Sequence, residues 1–245
     1  MGNLFKSTYS LSPQRGFSLL EMAIVMVIVS TLLGGLLISL SQTQEMNNRT
    51  DAEDTIENIV DALYGFAQAN GRLPCPATPA SGGVEDPVGG GNCNWEYGFV
   101  PASTLGLSGG VNVDGLLTDK WLSAYRYSVT TSNANAFTTV GGMQGVVGGI
   151  SALTPDLQVC DSAACTTITA TGVPAVVMSL GADWTNFTSA NEVENSGERT
   201  RNGYRLPNDL IFVSSSYIEG TFDDLITWMS PSILYTKMIT AGQLP

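Results

Sequence analysis

The 24 residues from Phe17 to Leu40 read FSLLEMAIVMVIVSTLLGGLLISL and hold one charge, Glu21. A helix of them, at ~1.5 Å per residue, reaches across the ~30 Å hydrocarbon core of a bilayer. The run exceeds the ~7–15 apolar residues of a signal-peptide core, and no A-x-A cleavage site follows it. Lys6 and Arg15 precede it, so the positive-inside rule places residues 1–16 in the cytoplasm and the chain after about Leu40 outside. Arg49, the nearest basic residue on the far side, does not outweigh that pair. Glu21 is the anomaly: a carboxylate in an apolar span costs roughly 2.5–3.5 kcal/mol on insertion scales. Either it snorkels to water at the membrane edge, or a nearby positive charge pairs with it.

Composition removes several classes of function. The 245 residues carry 22 acidic and 10 basic side chains, net −12, and only 13% are charged. No basic cluster offers the positive face that direct nucleic-acid binding needs. There is no histidine, which excludes Ser-His-Asp and Cys-His catalysis, imidazole zinc sites and histidine pH switches. With no nucleophile, base or metal constellation in the pattern, the chain does not read as an enzyme. A short basic head, an apolar run and a long acidic body are the arrangement of an exported protein.

The stretch Arg15-Gly16-Phe17-Ser18-Leu19-Leu20-Glu21, followed by the apolar run, resembles the processing site of type IV prepilins and type II secretion pseudopilins. The resemblance implies that a prepilin peptidase cuts between Gly16 and Phe17 on the cytoplasmic side and methylates Phe17. Glu21 then becomes the fifth residue of the mature chain, the position of the family's assembly glutamate. Physical reasoning agrees: in a bundle of apolar helices an unpaired carboxylate is costly, and the α-amine of a neighbouring Phe17 would neutralise it and favour one axial register. Gly34 and Gly35 either let the helix bend or allow close packing between membrane helices.

Beyond Leu40 the pattern turns amphipathic. Ile56, Ile59, Val60, Leu63, Phe66 and Ala67 recur at helical spacing among acidic residues, Asn70-Gly71 supplies a stop and Pro74 prevents resumption. One helix is therefore expected over 17–70. Residues 72–115, rich in glycine and proline, read as a long irregular connection. Alternation over 121–129 places Trp121, Tyr125, Tyr127 and Val129 on one face of a half-buried strand. Residues 131–151 read as a flexible loop. Further strands are expected at 157–160, 165–169, 174–180 and 209–214, with a helical turn capped by Thr221 over 222–229. Ser230-Pro231 opens a last helix that Gly242 ends.

The four cysteines allow three pairings. Cys160 and Cys165 flank a four-residue hairpin loop, where cross-strand neighbours approach closely enough for a disulfide. That pairing leaves Cys75 with Cys93. A zinc site of all four is the rival, but their spacing lacks the close cysteine pairs such sites use. Disulfides imply an oxidising compartment such as the periplasm.

Residues 118–127 (TDKWLSAYRY) look like a degenerate version of the Asp-Pro-Trp-Gly-x-Pro-Tyr-x-Tyr stretch of major pseudopilins, lacking both prolines and the glycine. Residues 176–183 (VVMSLGAD) resemble the segment that opens their calcium-binding loop. The resemblance implies a calcium site with Asp183, Glu192 and Glu194 as candidate ligands, and Asn186, Asn191, Asn195 and Asp209 are nearby oxygen donors. A solvated acidic loop is the alternative. Asp223 and Asp224, adjacent in the expected helical turn, read as first-turn acids suited to the helix dipole. Residues 71–76, 222–228 and the C-terminal end also resemble uncharacterised pilin-like proteins.

The expected fold is α+β and pilin-like: a long N-terminal helix, transmembrane then amphipathic, packed on an antiparallel β-sheet head with long loops. The expected organisation is a leader at 1–16, a transmembrane and filament-core helix at 17–40, an amphipathic continuation at 41–70 and a periplasmic or extracellular head at 71–245. The resemblance implies a single-pass inner-membrane precursor with a cytoplasmic N-terminus. Its expected partners are the prepilin peptidase/methylase, other pilin or pseudopilin subunits and an inner-membrane assembly platform. The expected function is a structural subunit of a type IV pilus or secretion pseudopilus, minor or tip-proximal because the head is bulky. A non-polymerising membrane-anchored binding or adhesion protein is the alternative.

Overall fold

The computed structural model describes residues 16–197, 210–218 and 220–245, the side chains of 35–41 excepted. The expected leader, with Lys6 and Arg15, lies outside the described residues but for Gly16, and so does Asp209. Two compact units divide the chain, Met1–Met46 and Asn47–Pro245. Helix α1 runs over Leu19–Asn70.

In the first unit, α1 begins at a local cap: the Glu21 N–H donates to Ser18 Oγ at 3.1 Å, satisfying one of the helix's orphan donors. The polar residues within the apolar stretch satisfy themselves along the helix. Ser30 Oγ donates to the Met26 carbonyl at 2.6 Å and Thr31 Oγ1 to that of Ile28 at 2.9 Å, so neither hydroxyl demands water. Leu19, Leu20, Met26, Val27 and Leu32 are all more than half exposed, an apolar surface of the kind that lipid or other protein covers.

Among the described residues, no helix is long and apolar enough to cross a membrane. The described side chains of the apolar stretch stop at Gly34. Leu19–Gly34 covers about 24 Å at ~1.5 Å per residue, short of a ~30 Å hydrocarbon core. The expected 17–40 span extends beyond that point.

In the second unit a four-stranded sheet has the order β1-β2-β5-β7, every pair antiparallel. Its strands are β1 (Tyr97–Phe99), β2 (Arg126–Val129), β5 (Ala175–Ser179) and β7 (Leu225–Trp228). A three-stranded sheet, β4-β3-β6, joins β3 (Leu157–Cys160) antiparallel to β4 (Ile168–Val173) and parallel to β6 (Ile211–Val213). Short helices α2 (Ala102–Leu105), α3 (Ser132–Asn135), α4 (Gly142–Gly145) and α5 (Ala190–Ser196) punctuate the loops, and α6 (Pro231–Thr240) ends the fold. The architecture is α+β, a helix packed on sheets, and is consistent with a pilin-like fold.

The apolar stripe of α1 explains the layering. Ala52, Ile56, Ile59, Leu63 and Ala67 recur every three or four residues and are nearly inaccessible to solvent; they pack with Tyr125, just before β2, and with Tyr127, Val129 and Val177 of the four-stranded sheet. The opposite face of that sheet offers Val176 and Met178 to Leu157, Val159 and Phe212 of the smaller sheet. The central strands β2 and β5 are therefore buried along their whole length. This corrects the half-buried strand expected at 121–129. Alternation shows one apolar face, but the second sheet covers the other, where Arg126 stacks over the Phe99 ring at 4.2 Å.

The expected helical turn at 222–229 is replaced by β7. Leu225-Ile226-Thr227-Trp228 are β-branched, aromatic or large apolar residues that fit a pleated surface, and they pair with Val176–Ser179 of β5. The strand expected at 165–169 forms later, at Ile168–Val173. The expected irregular stretches hold β1 and α2 to α4. In 131–151, Asn133, Ala134 and Asn135 make a left-handed turn, with φ of 53°, 55° and 63°. Helix α6 has Pro231 in its first turn, and Gly242 follows it at φ 74°.

Two disulfides and one buried ion pair fasten the loops. Cys75 joins Cys93 and Cys160 joins Cys165. Arg72 donates to both oxygens of Glu85 at 2.7 Å. Glu85 also accepts the Cys75 and Gly89 N–H groups at 3.1 and 3.2 Å, so the loop carrying the first disulfide is tied to the residue just beyond α1.

Candidate functional site

The first group of functional residues sits at the start of α1. Gly16 lies ahead of the helix, exposed, with open space around its Cα. Phe17 is 79% exposed, so the Gly16–Phe17 bond is sterically open to a processing enzyme. Glu21 lies in the first helical turn with an exposed side chain. Its backbone is capped by Ser18, and its carboxylate has no partner among the described residues.

The second group lies where β5 ends. Gly181 follows at φ 65°, and a Cβ there would overlap the Asp223 carboxylate. Only glycine fits on both counts. The turn brings the Ala182 N–H to Asp223 Oδ2 at 2.7 Å and carries Asp183 in beside it. Next, Thr188 and Ser189 donate their N–H groups to Glu192 Oε2 at 3.0 and 3.1 Å, while the Glu192 N–H donates to Ser189 Oγ at 3.2 Å. This capping box locks the Glu192 carboxylate at the start of α5, inaccessible to solvent.

Asp183, Glu192 and Asp223 thereby each place one carboxylate oxygen within 4.8 Å of the others. Asp183 Oδ1, Glu192 Oε1 and Asp223 Oδ1 are buried and lack hydrogen-bond partners. Burial, and then the like charges of Asp223 and Glu192, push the Asp183 carboxyl up to about 7. Burial also raises Asp223 despite the Ala182 N–H that favours its charged form. Three converging carboxylates repel one another; protons or a hard cation can relieve them, and oxygen-only donors suit calcium.

The converging carboxylates differ in one member from the expected set of Asp183, Glu192 and Glu194. Residues two apart on a helix point about 200° apart, so with Glu192 turned inward Glu194 faces away, and Asp223 takes the third place. Sequence reasoning missed Asp223 by placing it in a helix; the strand-forming Leu-Ile-Thr-Trp run behind it was the available signal. Asn191 and Asn195 are also committed elsewhere. Asn191 Oδ1 accepts the Ala163 N–H at 2.9 Å, and Asn195 binds Val213 and Asp224.

The other pseudopilin-like stretch supports this loop. Asp119 Oδ1 accepts the Trp121 and Ser123 N–H groups, both at 2.9 Å, and its Oδ2 accepts the Ser179 hydroxyl at 2.5 Å. Trp184 Nε1 donates to the Trp121 carbonyl at 3.1 Å. Burial raises the Asp119 carboxyl to about 6 against these hydrogen bonds. Residues 118–127 and 176–184 therefore brace each other, with no proline needed in the first stretch.

Residues 11–37 match the prokaryotic N-terminal methylation motif, the type IV prepilin-type signature. The motif supports a type IV pilin- or pseudopilin-like protein, a structural subunit, and implies processing by prepilin peptidase and assembly with other pilins. It covers Gly16, Phe17 and Glu21 and leaves the head unmatched. No match was found among curated proteins or among solved structures.

Proposed function

We propose that the chain is the precursor of a minor structural subunit of a type IV pilus or a secretion pseudopilus. In this reading the peptidase cuts between Gly16 and Phe17 and methylates Phe17. Residues 17–40 anchor the subunit in the inner membrane until the assembly platform extracts it, with the head in the periplasm. The observation that carries the reading is the methylation motif opening a helix of exposed apolar residues with one lone carboxylate. Inside a filament that carboxylate, Glu21, meets the α-amine of a neighbouring Phe17.

Mass spectrometry of the protein from its native host tests processing. A mature chain starting at Phe17 with one added methyl group is expected. An uncut chain, in a host whose peptidase is active, would make residues 17–40 a plain signal-anchor and favour a non-polymerising binding protein. Glu21→Ala then tests assembly: the variant is expected to be cut and held in the membrane but absent from filaments, and full function without assembly would defeat the filament reading.

We further propose that Asp183, Glu192 and Asp223 hold a calcium ion that orders the head. Support comes from the buried, unpartnered oxygen on each of the three. Calcium titration of the purified protein, followed by thermal unfolding, tests it. Unfolding temperatures unmoved by calcium at neutral pH would leave a protonated acidic cluster instead.

A further inference from the structure

The outward N–H and C=O groups of an edge strand invite pairing with another chain, and folded proteins close such edges. Among the described residues the two sheets present four edges, and two are closed by hydrogen bonds. At β1, Phe99 donates to the Ala77 carbonyl at 2.9 Å and accepts the Ala77 N–H at 2.8 Å. At β6, the Asn195 side chain takes both the N–H and the carbonyl of Val213. At β4, the pairing with β3 shifts register twice, and bulges of this kind twist an edge away from a would-be partner. β7 pairs with β5 in unbroken register over all four of its residues.

The ladder shows which way the backbone groups of β7 point. The Met229 N–H donates to the Ala175 carbonyl at 2.9 Å, and Thr227 lies opposite Val177 and Leu225 opposite Ser179. Hydrogen-bonded pairs alternate along an antiparallel ladder, so Leu225 and Thr227 bond to β5 while Ile226 and Trp228 turn their N–H and C=O outward. Those four groups have no hydrogen-bond partner among the described residues. A cleft of about 310 Å³ lies beside them, between Glu53, Ile56 and Glu57 of α1 and Ser214 and Ser215 just after β6. The edge is also held rigidly: Leu225 packs in the core with α1, and Ile226 and Trp228 pack against the apolar cluster of the smaller sheet.

We propose that the free edge of β7 takes an extended segment of a neighbouring filament subunit as a fifth strand. This rests on the filament reading above. A donor and an acceptor repeated two residues apart, about 7 Å along the strand, match another extended backbone, and main-chain hydrogen bonds then supply the affinity. Rigid side chains on both faces spare the cost of ordering the edge on binding. The occupant is a subunit because α1 forms one wall of the cleft. Its residues 49–57 are the first turns of the second unit, on the helix whose methylation motif implies assembly with other pilins. A subunit packed along α1 therefore reaches this edge.

Photo-cross-linking in the native host tests the proposal, with p-benzoylphenylalanine in place of Glu57, which is exposed at the cleft. A link to a second copy, or to another protein carrying the N-terminal methylation motif, is expected. Links only to proteins without that motif would overturn the proposal. A chain that is cut at Gly16 and assembled but makes no link defeats it alone; an uncut chain defeats the filament reading with it. Ile226→Pro removes an outward N–H and keeps the ladder to β5, so an unchanged unfolding temperature and a roughly tenfold weaker link are expected. Ser215→Trp, which fills the cleft without touching the ladder, is expected to weaken the link as much, and reports even where the proline variant fails to fold. Undiminished linking in Ser215→Trp, or in a folded Ile226→Pro, would overturn the proposal.

Discussion

The side-chain amide nitrogen of Asn195 donates to Asp224 Oδ2 and to the Val213 carbonyl, both at 2.8 Å, while its oxygen accepts the Val213 N–H at 2.7 Å. The Asn195 carbonyl also accepts the Tyr97 hydroxyl at 2.7 Å. One buried residue at the end of α5 therefore ties β6 of the smaller sheet, the start of β7 and β1 of the larger sheet to one point.

Replacing Asn195 with alanine strands the Val213 N–H and C=O and removes the one hydrogen bond on Asp224. A buried polar group left unsatisfied costs ~1–3 kcal/mol, so the expected loss is about 3 kcal/mol or more. Denaturant unfolding measures it. A loss below 1 kcal/mol would mean that water replaces the amide.

The acidic cluster sets a pH dependence with a definite sign. Asp183 has a folded-state value of about 7 against an ordinary 3.8, Asp119 about 6, and Asp223 and Asp224 are also raised. The native state then binds protons more tightly than the unfolded chain, so stability falls as pH rises from about 4 to 7. In the proposed calcium-bound state the ion replaces those protons. The expected result is an unfolding temperature that drops across this window in chelator and recovers with calcium at pH 7.5. At a calcium concentration of ~100 Kd the recovery is ~2.7 kcal/mol, or about 5–10 °C for a head of this size.

Gly181→Ala places a methyl group where the Asp223 carboxylate lies, at a backbone φ that alanine rarely adopts. Asp223 has to move, which loses its bond to the Ala182 N–H and its place among the three oxygens. Stability is expected to fall by about 2 kcal/mol from backbone strain alone, and the calcium-dependent rise in unfolding temperature is expected to vanish. An intact calcium response in this variant would remove Asp223 from the ligand set.

Arg72 and Glu85 form a bidentate pair whose side chains are only 6% and 5% exposed. Glu85→Ala leaves a buried guanidinium without its partner, which costs ~3–5 kcal/mol. Replacing both by apolar residues of similar size is expected to recover much of the loss. Although burial alone would raise it, the hydrogen bonds and charge of Arg72 hold the Glu85 carboxyl below its usual 4.5. Its contribution is present above that value and is lost as pH falls through the lower folded value, opposite in sign to the cluster. Urea unfolding of the single and double variants at pH 7 and pH 3 separates the two effects.

Periodicity alone places α1, because a stripe at 52, 56, 59, 63 and 67 can be buried only by a helix lying on something flat. Local chemistry likewise places the end of β5, the start of α6 and the processing residues Gly16, Phe17 and Glu21, whose meaning depends on neighbours in the chain. Hairpin geometry also suffices to suggest Cys160 with Cys165. What could not be read locally depended on contacts between distant segments. Residues 225–228 became a strand because β5 offered an open edge to pair with, and a pair of adjacent acids looks the same before a helix and before a strand. The burial of Arg126 on the second face of β2 follows from a smaller sheet whose β3 and β6 are joined in parallel across 50 residues of chain. Asp223 entered the carboxylate cluster in place of Glu194 for the same reason. The processing motif, the helix and the chemistry available to the head are legible from the order of residues alone. Which carboxylates converge follows from the folded chain, since their repulsion and burial exist only once β7 is folded against β5.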